Sequence, residues 1–357
     1  MVLSGDCWRG GSLCGLSVLC VRVWWGLAQR VLVGPRLIFA LSPTQSLPLP
    51  QRESMARHPL VLAALEANLP EVTNRLQQAL PEDSRAVLAA VLAASKGGHV
   101  QILRALLTHA PTAVSALNHN HDSGLHLAVQ SGRVDAARYL LEQRADPNAR
   151  NSAGSTPIHL AAGAGQLSCV GLLARSKADL SALDSSGNST LAYAARSYSD
   201  RTVRCLVGAR ADPNHHNRNG TAPLHMAAGE GKPAVIRALV ECGANLSAIN
   251  LDGDHALGCA IKSNRLECVR MLLELRASPN QPLQASPADP PLLPLILAAE
   301  RRDGVEIARA LLEYDADANA LTHGGYSPLH VAALSAADET CFLLINFGCS
   351  RALPLVR

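Results

Sequence analysis

The stretch from Gly154 to Gly165 reads GSTPIHLAAGAG and admits two interpretations. A threonine, a histidine and a glycine run suit a phosphate-holding loop, and they suit equally the start of a scaffold helix. Local chemistry favours the helix. Thr156 stands where an N-cap belongs, and Pro157 takes the first helical position, where its missing N–H costs nothing. His159 lies third, within reach of the cap. Ala161 and Ala162 allow close approach by a neighbour, and Gly163 and Gly165 then supply the left-handed residue that ends the helix. A phosphate loop places its glycines after a strand and runs Gly-Lys-Ser/Thr into a helix; neither feature is present. A second helix follows, turning Leu167, Val170, Leu172 and Leu173 inward.

Recurrence decides the matter. With His159 as reference, SGLHLAV at His126, STLAYAA at Ala192, APLHMAA at His225 and HALGCAI at Gly258 keep steps of 33 residues. PLILAA at Ile296 and SPLHVAA at His330 follow at steps of 38 and 34, and a degenerate copy lies around Leu92. Upstream, LVLAALEANLPEVTNRLQ has the same helix, turn, helix rhythm without that start. Gly154, Gly187, Gly220 and Gly253 share the register. So do Asn118, Asn151, Asp184, Asn217 and Asn250, and likewise Ala145, Ala178, Ala211, Ala244 and Ala277.

Period, helix start and turn together resemble the ankyrin repeat, over roughly residues 59 to 350. The resemblance implies an all-α solenoid of stacked helix-turn-helix units joined by short hairpin-like fingers. The expected organisation is a non-repeat extension over 1–54, a cap-like helix pair over 55–83, and about eight repeats over 84–353. A Pro-rich insertion, PNQPLQASPADPPLLP, lengthens one finger at 279–294. Nine units at about 10 Å each give a groove of roughly 90 Å, long enough for a protein interface. Ala192, Gly258 and Ile296 replace the motif histidine, which predicts loss of about 1 kcal/mol of capping and looser packing at each.

Composition limits the function. Of the 357 residues, 48% are hydrophobic and 3% aromatic, so the core is built from Ala, Leu and Val. Net charge is +3, all of it carried by residues 1–54; the remainder is neutral, without the basic stripe that nucleic acid requires. The ten cysteines include no CxxC pair, which fits reduced thiols in a cytoplasmic protein. The apolar run before residue 42 is interrupted by Arg22, Arg30 and Arg36, too often for a membrane span. Its Arg-rich, acid-poor character suits a transit peptide, a flexible tail or a gene-model extension. Nuclear residence, and organelle targeting by residues 1–54, stay open beside the cytoplasm.

No Ser/His/Asp order, GxSxG elbow, HExxH or kinase-type glycine loop is present, so no catalytic residue, cofactor, metal or small-molecule substrate is expected. Asp315, Asp317 and Asn319 begin like a calcium loop, but Ala320 and Tyr326 occupy its glycine and glutamate positions. The pairs His119/His121 and His215/His216 lie three units apart, too far for one metal. The expected function is therefore non-enzymatic: an adaptor or scaffold binding one or more proteins. By the family's habit, contact falls on Ser152 and Ser155; Ser185, Arg196 and Ser197; Arg218, Asn219 and Glu230; and Leu251, Asp252 and Lys262. An alternative is a membrane- or organelle-associated tether addressed by residues 1–41. A ubiquitin-ligase recognition subunit is not expected, because the chain stops at Arg357, just past the last second helix.

Overall fold

The computed structural model describes residues 58–78, 84–283, 292–322 and 324–348. The expectations placed on residues 1–54, and the middle of the Pro-rich finger, lie outside the described residues. Residues Arg52–Arg357 form one compact unit. Within it, nine helix pairs follow one another: α1 (Pro59–Leu65) with α2 (Leu69–Gln78), α3 (Ser84–Gly97) with α4 (Val100–His109), and α5 (Gly124–Gln130) with α6 (Val134–Glu142). The fourth to sixth are α7 (Pro157–Gly163) with α8 (Leu167–Arg175), α9 (Thr190–Ala195) with α10 (Asp200–Gly208), and α11 (Pro223–Glu230) with α12 (Pro233–Glu241). The last three are α13 (Ala256–Lys262) with α14 (Leu266–Glu274), α15 (Pro294–Ala299) with α16 (Val305–Glu313), and α17 (Pro328–Leu334) with α18 (Asp338–Asn346). No strand longer than an isolated bridge occurs among the described residues, so the solenoid is all-α.

Short first helices hold because their starts are capped. Nδ1 of His126 accepts from the Ser123 backbone N–H (3.1 Å), leaving Nε2–H to donate to the Ser155 carbonyl of the next unit (3.1 Å). His225 repeats this on the Ala222 N–H and the Ala248 carbonyl. Burial pushes both imidazoles below their ordinary value, which keeps them neutral and fit for this double role. His159 closes its own helix end on Thr156 (3.2 Å), but its Nε2 finds no partner on the neighbouring turn. Its ring instead lies edge-on against Tyr193, centroids 5.0 Å apart.

Two of the three units without the motif histidine are not loosened as expected. Ser189 caps α9 by accepting from the Ala192 N–H (3.3 Å). At α13 the histidine has moved to the cap itself: His255 Nδ1 accepts from the Gly258 N–H (3.2 Å), and Nε2 donates to the Gln281 carbonyl (3.1 Å). Gly258 also leaves room that the buried side chain of Leu283 fills from the following finger. Of the three, only α15 starts on a residue, Leu293, that offers no side-chain cap. Gly163, expected beyond the helix, is its last residue; Gly165 alone takes the left-handed conformation, at φ +68°.

Adjacent units are tied at alternate junctions. Asn148, after the third unit, accepts from the Asp179 N–H (2.8 Å) and donates to the Lys177 carbonyl (3.4 Å), both after the fourth. Asn214 grips Asn245 N–H (2.8 Å) and the Gly243 carbonyl (3.0 Å), and Asn280 grips Asp317 N–H and the Asp315 carbonyl (both 2.9 Å). The intervening turns carry Ser181 and Ser247, and Ser181 spends its hydroxyl on Asp179 of its own turn (2.6 Å). A second link shares this alternation: Asn151 donates to Asp122 and Asn217 to Asn188, each at 2.8 Å. Units three and four, and five and six, are thus doubly clamped pairs; seven and eight share the Asn280 clamp.

Candidate functional site

The face to be tested is made by fingers and first helices. Six fingers close alike: the N–H of Asn118, Asn151, Asp184, Asn217, Asn250 and Thr322 donates to the carbonyl four residues on, at 2.9 to 3.1 Å, while the Pro-rich finger closes by a reciprocal Leu283–Leu292 backbone pair at 2.8 Å. Asn151 and Asp184 also take two N–H groups of their own turn on one side-chain oxygen, which sets the hairpin shape. The tips then bond to one another. Ser152 N–H donates to Asn120, Ser185 to Ala153, Arg218 to Ser186 and Leu251 to Asn219, at 2.8 to 3.1 Å. Four inter-finger bonds hold the tips of units three to seven in one register.

That register explains the motif glycines. Gly154 and Gly220 sit at φ +72° and +69°, where a side chain is strained. A Cβ on Gly220 would also stand 2.9 Å from the Leu251 backbone nitrogen, so glycine is required both for the turn and for the approach of the next finger.

The ladder sets the expected contact residues in two groups. Ser152, Ser185, Arg218, Asn219, Leu251 and Asp252 are exposed on the tips, Leu251 at 76%. Arg218 and Asp252 form no ion pair among the described residues. Arg196, Glu230 and Lys262 are exposed at the ends of first helices. Arg196 pairs with Glu230 of the next unit at 3.2 Å, and Lys262 with Asp254 at 2.6 Å. The Arg196–Glu230 pair is about half exposed and contributes about 0 to 1 kcal/mol, so a ligand could exchange it cheaply, whereas the Asp254 carboxylate is buried and holds Lys262 in place. Beside them a shallow cleft of about 440 Å³ is lined by Arg196, His225, Met226, Gly229, Glu230 and Ser263.

Two expected members are withdrawn from this face. Ser155 is 1% exposed, its hydroxyl engaged with Tyr193 Oη at 2.7 Å. Ser197 is buried and donates to the Ala194 carbonyl at 2.7 Å. Both were placed by register alone, and the register does not report that each has a structural partner.

Sequence reasoning also passed over Tyr193 and Tyr198. Tyr193 donates to Asp184 Oδ2 (2.9 Å) and joins Ser155 across the junction of units four and five. Burial raises the Asp184 carboxyl, but hydrogen bonds from Asn188, Tyr193 and the Ser186 amide outweigh it and hold the group below its ordinary value. Burial pushes the Tyr193 phenol up, so it remains a donor. Tyr198 occupies the position where other units place a left-handed glycine, and it is 85% exposed with Lys232 Nζ over its ring. The signal was available: a tyrosine in each of two fixed positions otherwise held by aliphatic or small residues.

Three of the thiols are poor nucleophiles. Burial pushes the Cys169 and Cys268 thiols to about 11 and Cys259 to about 12, so all three stay protonated at neutral pH. Asp317 accepts from the Asn319 N–H at 2.9 Å, closing the repeat's own turn where a calcium loop was weighed. His215 Nε2 lies 3.1 Å from the Gly187 carbonyl, so that ring is used within the fingers.

Family comparison agrees with this geometry. The model for ankyrin repeats in three copies matches residues 191–282, that for many copies matches 125–174, and that for a single ankyrin repeat matches 292–323. The chain is an ankyrin repeat protein. It is also 38% identical over 63 residues to the transient receptor potential cation channel subfamily A member 1 homolog of Caenorhabditis elegans. That match covers 18% of this chain and 5% of the channel protein, so the likeness is confined to a short stretch. Ankyrin repeats generally serve protein–protein interaction and are typically non-catalytic. No helix among the described residues is long and apolar enough to cross a membrane.

Proposed function

We propose that this ankyrin repeat protein is an adaptor or scaffold that holds a partner protein across its finger tips and the adjoining ends of its first helices. The observation that supports this most is the continuous inter-finger ladder. It gives the exposed residues Ser152, Ser185, Arg218 and Leu251 a shared, preorganised row, and preorganisation lowers the ordering cost of binding. Next to the row, the exposed Arg196–Glu230 pair supplies exchangeable charge of both signs.

The test is capture of binding proteins from native extract by the full chain and by a variant with Arg196, Arg218, Asp252 and Lys262 changed to Ala. A partner recovered stoichiometrically by the parent chain and lost by the folded variant supports the reading. A partner bound equally by both would move the active surface away from this face.

A further inference from the structure

In the ninth unit, three positions that lie buried in its neighbours are open. Leu329 and Cys341 are half-buried and Ala333 is exposed. Their equivalents in the eighth unit, Leu295, Ala299 and Ala308, are buried, and the same three places are buried in units four to seven. In each inner unit the following helix pair packs on these positions. In unit nine they therefore make an apolar face on the side where a stack either continues or needs a cap.

A polar group of the same unit is unspent. His330 Nδ1 accepts from the Ser327 N–H at 3.2 Å and lies 2.9 Å from the Ser327 hydroxyl, but Nε2 bonds to nothing among the described residues. In the sixth unit, His225 Nε2 donates to the Ala248 carbonyl, 23 residues on. In the seventh, His255 Nε2 donates to the Gln281 carbonyl, which is again 23 residues past the motif position, Gly258. Each acceptor belongs to the segment that runs from its unit into the next finger. The same step of 23 from His330 reaches Leu353.

We propose that residues 349–353 fold over unit nine as a strap, with the Leu353 carbonyl accepting from His330 Nε2–H and the Cys349 and Leu353 side chains covering Leu329, Ala333 and Cys341. The chain leaves the unit in the manner that leads there: Gly348 is left-handed at φ +83°, as Gly243 is at +89° after the sixth unit's second helix. Gly348 stands as far from Leu353 in sequence as Gly243 from Ala248, so the reach suffices. Residue chemistry matches too. Cys349 takes the place of Ala244 and Leu353 that of Ala182, both buried, and a leucine covers more apolar surface than the alanine it replaces. So short a tether supplies the segment at an effective concentration of about millimolar, far above a second copy at working concentration. Closed, the strap satisfies the last histidine and takes the face out of water; open, it exposes the face to a second copy of the chain.

The experiment is timed iodoacetamide labelling of the purified full chain, read at Cys349 by peptide mass spectrometry with exposed Cys205 as reference. Each rate is divided by that of the same thiol in the urea-unfolded chain. With the strap closed, Cys349 reacts about tenfold more slowly than Cys205, at a rate independent of protein concentration. Leu353→Ser is expected to speed Cys349 about tenfold and to lower hydrogen-exchange protection in α17, while Leu353→Met leaves both unchanged. His330→Ala should speed Cys349 as well; His225→Ala, which removes the same cap from an inner unit, should not. Leu353 lies outside every described helix, so its serine variant tests the strap even where His330→Ala loosens unit nine. Labelling of Cys349 as fast as that of Cys205, or indifferent to Leu353→Ser, overturns the strap. Protection of Cys349 that appears only as concentration rises, with a dimer in sedimentation, overturns it too and gives the face to a second copy.

Discussion

Gly220→Ala is expected to destabilise the sixth and seventh units by about 2 to 3 kcal/mol. Gly220 holds φ +69°, and a non-glycine residue there costs about 1 to 2 kcal/mol. The new methyl would meet the Leu251 backbone nitrogen at 2.9 Å and the Asn250 carbonyl carbon at 3.3 Å, and backbone cannot rotate away. Relief requires the two fingers to part, which breaks the 3.0 Å Leu251-to-Asn219 bond and removes about 1 kcal/mol more. Gly171 supplies the opposite case. It lies within α8 with nothing within 4 Å of an added Cβ, so Gly171→Ala should stabilise by about 0.5 to 1 kcal/mol through helix propensity. Native-state hydrogen exchange is the suitable assay, because a repeat array opens locally and one global free energy would average over units. Protection should fall around 217–254 in the first variant, with units three and four unchanged. A loss below about 0.5 kcal/mol, or one spread evenly over the array, would refute the reasoning about finger contact.

Asn214→Ala removes two inter-unit hydrogen bonds and should lower the local stability of units five and six by about 1 to 3 kcal/mol, read by hydrogen exchange at Asn245 and its neighbours. Tyr193→Phe strips a donor from Asp184 and a partner from Ser155; about 1 to 3 kcal/mol should be lost at the junction of units four and five, measured by urea titration with exchange. Burial lowers His126, His159, His225 and His255 below their ordinary value of 6.5, so the unfolded chain binds protons that the folded chain does not. Stability should hold above about pH 6.5 and fall as pH drops below it, by up to about 1.4 kcal/mol per pH unit for each histidine, levelling off beneath the folded-state values; melting from pH 7.5 to 5 checks the direction.

Much of this was legible because the signal was repeated. A single Thr156-Pro157-x-His159 is ambiguous between a reactive loop and a helix start, whereas five equivalent positions 33 residues apart admit one periodic structure. What escaped was whatever one unit does differently from its neighbours. The loss of the motif histidine at Gly258 suggested a weak joint, because a register compares like positions and does not see His255 three residues earlier taking over both hydrogen bonds. Ser155 and Ser197 looked like surface because equivalent positions are surface in the family, yet Tyr193 Oη and the Ala194 carbonyl draw them inward. Side-chain partners across 30 to 40 residues depend on distance in space, and sequence position fixes that only once the stack is built.

The alternation of clamps is the feature with the widest consequence. In a linear array, stability is the sum of unit terms and nearest-neighbour terms, so unequal junctions create cooperative blocks. The Asn148, Asn214 and Asn280 clamps strengthen the junctions of units three with four, five with six and seven with eight. The junction between units four and five relies instead on the Tyr193 network, the Arg150 contact and one tip bond. The clamped pairs are then the blocks expected to open together, with the junction of units four and five giving way before those on either side of it. Exchanging Ser181 for Asn, which places the clamp residue at the junction of units four and five, should raise hydrogen-exchange protection across that junction toward that of the clamped pairs; unchanged protection would show that the asparagine does not set the alternation.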